Sequence, residues 1–360
     1  MIAIDLSPTL VIGTGLVGAS VGCALSRAGV TVHLSDKVSS HARVAASRGA
    51  GTIGKPDPEA VRLVVVAVPP AALAQAIARA LSTYPNATVT DVGSVKGTIL
   101  ASLRSAGLDL SRYVGSHPMA GSQRVGPLTA SADLFIDRTW VVTPHDTSSA
   151  HAVLDVQELA RLAGARRVTM GAAHHDEAVA QVSHLPHLVS VLMAGRLNDV
   201  PTEHLRLAGQ GVRDVTRVAG SDPQLWRQII MANAEAVRIE LAALQADLAS
   251  WMEALDDPDQ VTALLERGRE GTRALPGKHG LAAVDYAHVV VEIPDEPGSL
   301  ARLFADIEKA GVNVEDLSIH HDADREVGYL SVQVSPEHVA DLREAMLAAG
   351  WTLREPDATL

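Results

Sequence analysis

Three clusters of polar residues stand out along this chain. The first is D-V-G-S-V-K at residues 91–96, and the second is G-S-H-P-M-A-G-S at residues 115–122. Both follow predicted strands of a parallel sheet, whose carboxyl ends face the ligand crevice. The third runs from H-H-D at residues 174–176 through S-H-L-P-H at 183–187 to R-D-V-T-R at 213–217. Their imidazole, hydroxyl and guanidinium groups can bind an anionic small molecule and exchange protons near neutral pH.

The H-x-x-H pair in the third cluster has a spacing that also occurs in metal sites. His184 and His187 are three residues apart, but the sequence supplies no suitable third ligand nearby, and Pro186 distorts the helix. We predict no metal here, with a metal site as the alternative. His174 and His175 are interpreted as a solvated helix start, and Asp176 as a structural partner near that N-terminus.

A glycine-rich loop near the N-terminus predicts a dinucleotide site. G-T-G-L-V-G lies between a predicted strand and a helix. The first glycine permits the tight turn, the second lets backbone approach a pyrophosphate, and the third lets helix and strand pack closely. The helix start offers free N–H groups to the phosphates. The predicted cofactor-binding residues are Gly13, Thr14, Gly15, Leu16, Val17 and Gly18.

Asp36 decides which dinucleotide the sequence predicts. It ends the next strand, 18 residues after Gly18. A carboxylate there can accept hydrogen bonds from both ribose hydroxyls and would repel a 2′-phosphate. The prediction is therefore NAD, while the nearby Lys37 and Arg43 leave NADP open.

Taken together with the glycine loop, these clusters resemble the prephenate/arogenate dehydrogenase family over nearly the whole chain. The specific combination is G-S-H-P-M-A-G-S, S-H-L-P-H and R-D-V-T-R-V-A-G-S-D-P-x-x-W. The C-terminal segment separately resembles an ACT domain, with D-E-P-G-S-L at its first turn and G-V-N-V at its second strand. The family implies a Rossmann-like domain followed by an all-helical domain that dimerises.

The resemblance implies NAD-dependent oxidative decarboxylation of prephenate to 4-hydroxyphenylpyruvate, a step of tyrosine biosynthesis. Removal of the C4 hydride leaves a positive centre that is relieved by loss of CO2 and aromatisation. His117 matches the family residue that accepts a hydrogen bond from the 4-hydroxyl, a role suited to a neutral imidazole. Ser94 would hold the hydroxyl or the imidazole in place, and an N-cap of the following helix is its alternative role.

Substrate binding is assigned by the same resemblance. Arg217 matches the family arginine that grips a substrate carboxylate through two parallel hydrogen bonds. Arg213, four residues earlier, would share a helical face with it and act at the periphery. The S-H-L-P-H segment implies substrate contacts from Ser183, His184 and His187.

Gln123 favours prephenate over arogenate. Many relatives carry an acidic residue there, which could pair with the ammonium group that only arogenate has. A neutral amide weakens that attraction, and arogenate dehydrogenase remains the alternative. Two further alternatives are a related dehydrogenase of small hydroxy acids and an amino-acid-sensing protein with an inactive Rossmann domain. The intact glycine loop, His117 and Arg217 oppose the second of these.

The pattern of secondary structure predicts three domains. Short β-branched runs alternate with helical patterns over residues 1–170, which predicts a Rossmann-like α/β domain with a mostly parallel sheet. Residues 171–280 predict an all-α domain, with one helix over 173–197 kinked at Pro186 and a long helical stretch from Pro223. Residues 285–360 predict a ferredoxin-like βαββαβ unit. Apolar residues spaced alternately four and three apart form a seam along the long helical stretch, which predicts packing against another helix, inside the chain or across a homodimer. The seam consists of Val237, Leu241, Leu244, Leu248, Trp251 and Leu255.

The C-terminal unit contains a candidate effector site. The turn of Pro297, Gly298, Ser299 and Leu300 offers backbone N–H groups at a helix start, which suits an amino acid's carboxylate. Asn313 can contact the ammonium group or fix the loop. The resemblance implies feedback control by an aromatic amino acid, and a dimerising domain without a ligand is the alternative.

Composition bounds the remaining possibilities. The net charge of -12 argues against nucleic-acid and acidic-membrane partners. Cys23 is the single cysteine, so an intramolecular disulfide is excluded and a reducing compartment fits. The N-terminus has no basic region before its apolar stretch, and Pro69-Pro70 breaks the most apolar later segment. We therefore expect no signal peptide, no membrane span and a cytoplasmic location.

Overall fold

The computed structural model describes residues 4–120, 126–275, 286–321 and 327–354. The chain forms two compact units, Met1–Ser250 and Trp251–Leu360. The first unit contains an α/β part followed by helices, and the second contains helices and a small antiparallel sheet.

The α/β part alternates strands and helices, as predicted. A five-stranded parallel sheet has the order β3-β2-β1-β4-β5. Its elements are β1 (Thr9–Ile12), α1 (Leu16–Arg27), β2 (Val32–Ser35), α2 (Ser39–Ser47), β3 (Thr52–Ile53), β4 (Leu63–Val66), α3 (Pro70–Thr83), β5 (Thr88–Asp91) and α4 (Gly97–Ser105).

The sheet is buried on both faces, which explains its runs of Val, Leu and Ile. Val11 lies opposite Leu34 and Val65, and all three belong to the core on one face. Leu10 and Val64 belong to the core on the other face. The carboxyl ends of β1 and β5 lead directly into the glycine loop and the D-V-G-S-V-K segment.

The strand that carries His117 belongs to a second sheet, with the order β6-β7-β8. These strands are Gly115–Pro118, Thr139–Thr143 and Arg166–Thr169, and α5 (Ala150–Leu162) lies between the last two. β6 runs antiparallel to β7, and β7 runs parallel to β8. The prediction of one mostly parallel sheet therefore holds for five strands, and a bridge between Val89 and Tyr113 connects β5 to the segment before β6.

A series of helices follows the α/β part. They are α6 (Ala172–Val179), α7 (Leu185–Arg196), α8 (Thr202–Leu205), α9 (Gln210–Thr216), α10 (Pro223–Ala232), α11 (Ala234–Ala254) and α12 (Pro258–Arg273). The predicted kinked helix is two helices joined by a π-helical turn, Ala180–His184. The turn ends just before Pro186, which has no N–H to donate to the preceding turn.

The helical run Ala172–Asp199 is long and apolar enough, by length and composition, to cross a membrane. Three of its buried polar side chains, His175, Asp176 and His184, hydrogen-bond to residues of the same unit. Core helices of water-soluble proteins meet the same length and composition criteria.

The apolar seam predicted for the long helix passes from buried to exposed positions. Val237 is 3% exposed, whereas Leu248 and Leu255 are 60% and 70% exposed. Other large apolar side chains of the helices are also exposed, including Val182, Leu192 and Met231. Such surface is typical of a face that packs against a partner.

The second unit contains an antiparallel sheet with the order β10-β11-β9-β12. Its elements are β9 (Ala287–Pro294), α13 (Ser299–Lys309), β10 (Asp316–His321), β11 (Val327–Val334), α14 (Val339–Ala348) and β12 (Thr352–Arg354). Val291, Leu330 and Leu303 lie in the core between the sheet and its helices. The order of elements is βαββαβ, as predicted.

Candidate active site

His117 lies on β6 and contacts a residue that sequence reasoning placed in solvent. Its Nδ1 is 2.9 Å from Nε2 of His175, and Nδ1 of His175 is 2.8 Å from Oδ1 of Asp176. His175 is 1% exposed, so its interpretation as part of a solvated helix start is wrong, whereas His174 is exposed. The first turns of α6 bring the H-H-D motif against the sheet, which the helix periodicity alone did not indicate.

Asp176 caps helix α4 from a different part of the chain. Its Oδ1 accepts the N–H of Lys96 at 2.8 Å, and its Oδ2 accepts the N–H of Gly97 at 2.7 Å. The expectation that Asp176 is a structural partner is confirmed, but at the start of α4 rather than of its own helix. The alternative role of Ser94 as N-cap is wrong, because the helix begins at Gly97 and Asp176 satisfies its first N–H groups.

A buried ion pair lies directly behind this network. The ammonium of Lys96 contacts Oδ1 of Asp91 and donates to the carbonyl of Ser116 at 2.8 Å. Asp91 also accepts the hydroxyl of Tyr113 at 2.8 Å and the N–H of Gly93 at 2.8 Å. Lys96 and Asp91 are 1% and 0% exposed. The pair thus ties the end of β5 to the strand that presents His117.

These surroundings keep His117 uncharged near neutral pH. Its pKa lies well below the usual value, first because burial penalises the imidazolium and then because any positive charge on His175 would repel it. The Lys96 ammonium and His184 lower the pKa further. A neutral imidazole has one lone pair, so His117 can accept a hydrogen bond or a proton.

Asn233 connects this network to the helices. Its side-chain amide donates to the carbonyl of Asp176 at 2.7 Å and lies 3.1 Å from Nδ1 of His184. His184 is 2% exposed, and burial lowers its pKa to about 4. No sequence signal singled out Asn233, because it follows α10 outside every recognised motif.

His187 lies flat against Trp226. The two rings are 3.5 Å apart at an interplanar angle of 4°, and His184 meets the edge of the same indole. Among the described residues, Nδ1 of His187 and Oγ of Ser190 are buried with no hydrogen-bond partner. Buried polar atoms without a partner are rare in native proteins, so these two require an explanation. Trp226 ends the family motif, and the sequence alone assigns it no role.

The remaining predicted substrate residues lie in several places. Ser94 lines a cavity of about 290 Å³ together with Gln228 and Met231. Ser183 is partly buried in the π-helical turn. Arg213 lies in the last turn of α9, and Arg217 begins the 3-10 turn that follows; both are exposed. Gln123 lies outside the described residues.

The glycine loop has the geometry of a dinucleotide site. A Cβ on Gly13 would lie 2.3 Å from the carbonyl oxygen of Ala67, and one on Gly18 would lie 2.0 Å from that of Gly13. At Gly15, in contrast, a Cβ would meet nothing within 4 Å. Packing therefore explains two of the glycines, and the third borders open space that a pyrophosphate can fill.

Asp36 clamps this loop. Its Oδ2 accepts the amide and the hydroxyl of Thr14, at 2.6 and 2.8 Å, and its Oδ1 accepts the N–H of Val38 at 2.8 Å. Burial alone would raise the pKa of Asp36, but these hydrogen bonds bring it below the usual value. One acceptor position remains for a ribose hydroxyl, and rotation of the Thr14 hydroxyl opens a second.

The predicted effector turn precedes α13. Gly298 has a φ of +94°, which favours glycine, and the helix begins at Ser299. Pro297 and Leu300 flank this turn and are exposed. The exposed Asn313 donates its amide to Glu315. No group of three His, Cys, Asp or Glu side chains in the described ranges could hold a metal ion.

Comparison with known proteins identifies the family. The model of the prephenate dehydrogenase nucleotide-binding domain matches residues 21–169, and that of the prephenate dehydrogenase dimerization domain matches residues 171–266. A protein of Streptomyces niveus named as a probable prephenate dehydrogenase is 35% identical over 355 residues, which is 95% of this chain and 98% of the relative.

Two further proteins support the same assignment. The cyclohexadienyl dehydrogenase of Zymomonas mobilis is 34% identical over 277 residues, covering 73% of this chain and 93% of that protein. The crystal structure of prephenate dehydrogenase from Aquifex aeolicus, in complex with hydroxyphenyl propionate and NAD+, superimposes with a TM-score of 0.68 at 26% identity. It covers 75% of this chain and 99% of the other. The chain belongs to the prephenate dehydrogenase family.

Proposed function

We propose that this protein is an NAD-dependent oxidoreductase that converts prephenate to 4-hydroxyphenylpyruvate and CO2 in tyrosine biosynthesis. The observation that carries the proposal is the position of His117 at the end of β6, where it contacts His175 and, through it, Asp176. A related dehydrogenase of small hydroxy acids would not need this imidazole together with a carboxylate-binding arginine. The intact glycine loop argues against an inactive, amino-acid-sensing protein.

His117 would act first as a base and then as an acid. It accepts the proton of the C4 hydroxyl as the hydride leaves C4, so that C4 becomes a carbonyl carbon. The bond from C1 to the ring carboxylate then breaks, CO2 departs, and the electron pair completes the aromatic ring. The proton returns from His117 to the ring oxygen and gives the phenol. No net proton is taken up or released.

The remaining residues would bind and orient the substrate. Arg217 grips a substrate carboxylate, and Arg213 adds positive charge at the periphery. The hydroxyls of Ser94 and Ser183 supply hydrogen bonds. A third set, His184, His187 and Trp226, forms a polar and aromatic surface whose unpartnered His187 Nδ1 suits the pyruvyl or carboxylate group.

NAD supplies the hydride acceptor when it is bound. Gly15 leaves space for the pyrophosphate at the start of α1, Gly13 and Gly18 allow the close packing of the loop, and Thr14, Leu16 and Val17 contribute the surrounding backbone. Asp36 binds the ribose and repels a 2′-phosphate, which favours NAD over NADP.

We further propose three domains: residues 1–170 bind the dinucleotide, residues 171–280 form the homodimer, and residues 285–360 form a regulatory ACT domain. The exposed apolar surface of the helices supports the dimer. The βαββαβ order and the left-handed Gly298 at the start of α13 support an ACT domain that binds an aromatic amino acid. The reaction takes place in the cytoplasm, as expected for a biosynthetic enzyme with one unpaired cysteine.

One assay tests the activity. The full-length protein is incubated with prephenate or arogenate, each with NAD or NADP, and the reduced cofactor and CO2 are measured. We expect the highest kcat/KM with prephenate and NAD. Arogenate as the better substrate would overturn the prediction from Gln123. The enzyme assignment itself fails if none of the four mixtures gives reduced cofactor and CO2 in equal amounts.

A further inference from the structure

We infer that His175 and Asp176 are positioning residues that decide which ring nitrogen of His117 carries the proton. The inference rests on the proposed function, because it concerns the acceptor that the substrate hydroxyl needs. Its basis is the unbroken line of hydrogen bonds from Asp176 through His175 to His117, with distances of 2.8 and 2.9 Å. His175 and Asp176 are 1% and 8% exposed, so water barely competes for these bonds.

The direction of each hydrogen bond follows from the Asp176 end of the line. The carboxylate accepts two backbone N–H groups, from Lys96 and Gly97, and these donors cannot reverse. Nδ1 of His175 therefore donates to Asp176. With a neutral ring, Nε2 of His175 accepts, and Nδ1 of His117 must carry a proton. Nε2 of His117 then carries no proton, and its lone pair can accept the proton of the substrate hydroxyl.

The line also stabilises the charge that develops during the reaction. When Nε2 of His117 takes up the substrate's proton, the ring becomes an imidazolium. Its Nδ1–H already points at His175, and the negative charge of Asp176 lies behind that second ring. The logic is that of a catalytic triad, in which a buried carboxylate holds the tautomer of the base and stabilises its protonated form. Here an extra imidazole lies between the carboxylate and the base.

The protein holds the carboxylate firmly in this position. The start of α4 provides both N–H donors, and the carbonyl of Asp176 accepts the amide of Asn233. Gly97 is required for this approach, because a Cβ there would lie 2.8 Å from Oδ2 of Asp176. A substitution of this glycine should therefore displace the carboxylate while both imidazole rings stay in place.

A measurement of the tautomer tests the inference without substrate. Long-range ¹H–¹⁵N spectra of the full-length protein, labelled in its histidine side chains, report which nitrogen is protonated, and the His117→Asn spectrum assigns the signals. We expect protonated Nδ1 and bare Nε2 in the parental protein, and loss of this preference in His175→Leu. The inference is overturned if neutral His117 carries its proton on Nε2, or if His175→Leu leaves the pattern unchanged.

Steady-state kinetics test the same point by a second route. We expect His175→Leu to lower kcat about 10²-fold while the KM for prephenate stays within about twofold. His175→Gln restores an acceptor oxygen near the position of Nε2 and should recover about tenfold of that loss. His174→Leu, at an exposed position of the same helix, is the matched control and should match the parental kcat.

Gly97→Ala tests the carboxylate. The variant keeps both histidines, and we expect kcat to fall about tenfold, because the added methyl group displaces Asp176. Parental kcat in both His175→Leu and Gly97→Ala, or losses confined to KM, would overturn the inference. If the parental protein itself turns over no substrate, the proposed function fails, and the tautomer spectra still decide the positioning role.

Discussion

Replacing Lys96 by methionine should destabilise the α/β part of the protein strongly. Lys96 is 1% exposed, and its ammonium contacts the fully buried carboxylate of Asp91. Methionine preserves most of the apolar stem but removes the charge. Asp91 would then remain buried with only the hydroxyl of Tyr113 and the N–H of Gly93 as partners. The carbonyl of Ser116 would also lose its donor.

The magnitude follows from what remains at the site. Removing one partner of a buried ion pair costs about 3–5 kcal/mol, because the other charge stays desolvated. The two remaining hydrogen bonds to Asp91 offset part of this, and the bare carbonyl of Ser116 adds about 1 kcal/mol. We expect a total loss of about 3 kcal/mol. Asp91→Asn in the same chain should bring the loss back to about 1–2 kcal/mol, because no buried charge is then left unpaired.

Urea unfolding of the parental protein, the two single variants and the double variant measures these free energies. Trp140, which is buried in β7, supplies a fluorescence signal from the same part of the chain. Asp91→Asn alone leaves the buried ammonium of Lys96 without its carboxylate, so it should also cost about 3 kcal/mol, and the coupling free energy between the two positions is then about 4–5 kcal/mol. The pair is not a strong local interaction if the free energy of unfolding of Lys96→Met lies within about 1 kcal/mol of the parental value. The same conclusion follows if the loss in the double variant equals the sum of the losses in the single variants.

Four other predictions concern the chemistry and the acid stability. His117→Asn should lower kcat by about 10²–10⁴-fold, and Arg217→Ala should raise the KM for prephenate about 10–100-fold with a smaller effect on kcat, both measured by initial rates of NADH formation. Asp36→Asn should reduce the preference for NAD over NADP about tenfold or more, as the ratio of the two kcat/KM values; an unchanged ratio would contradict the assigned role. Burial lowers the pKa of His184 to about 4, whereas an unfolded histidine titrates near ~6.5, so the unfolded state binds more protons between these values. The stability contributed by the neutral ring is thus complete above about pH 6.5 and is lost, by about 2–3 kcal/mol, as the pH falls through about 4. The free energy of unfolding measured at pH 7 and at pH 4.5 should therefore differ less in His184→Gln than in the parental protein.

The sequence by itself determined the elements and the order in which they occur. The predicted alternation of strands and helices over residues 1–170 and the βαββαβ order of the C-terminal unit agree with the structure, because apolar periodicity and glycine turns are local signals. The glycine loop and Asp36 could be proposed from the sequence for a similar reason, since phosphate binding at a helix start requires a contiguous motif. His117 could be recognised because the motif that contains it lies at the end of a predicted strand, so both signals are local in the chain.

Only the tertiary structure decided which residues meet. His175 and Asp176 follow Lys96 by about 80 positions, and no local pattern indicates that Asp176 caps the helix after Lys96. The same separation hid the role of Asn233, because its two hydrogen bonds go to residues of other helices. Whether a histidine is buried depends on the residues that pack over it. The sequence of a helix start does not show whether another element covers that turn. Protonation and tautomer depend on three-dimensional neighbours, so they cannot be predicted from a motif.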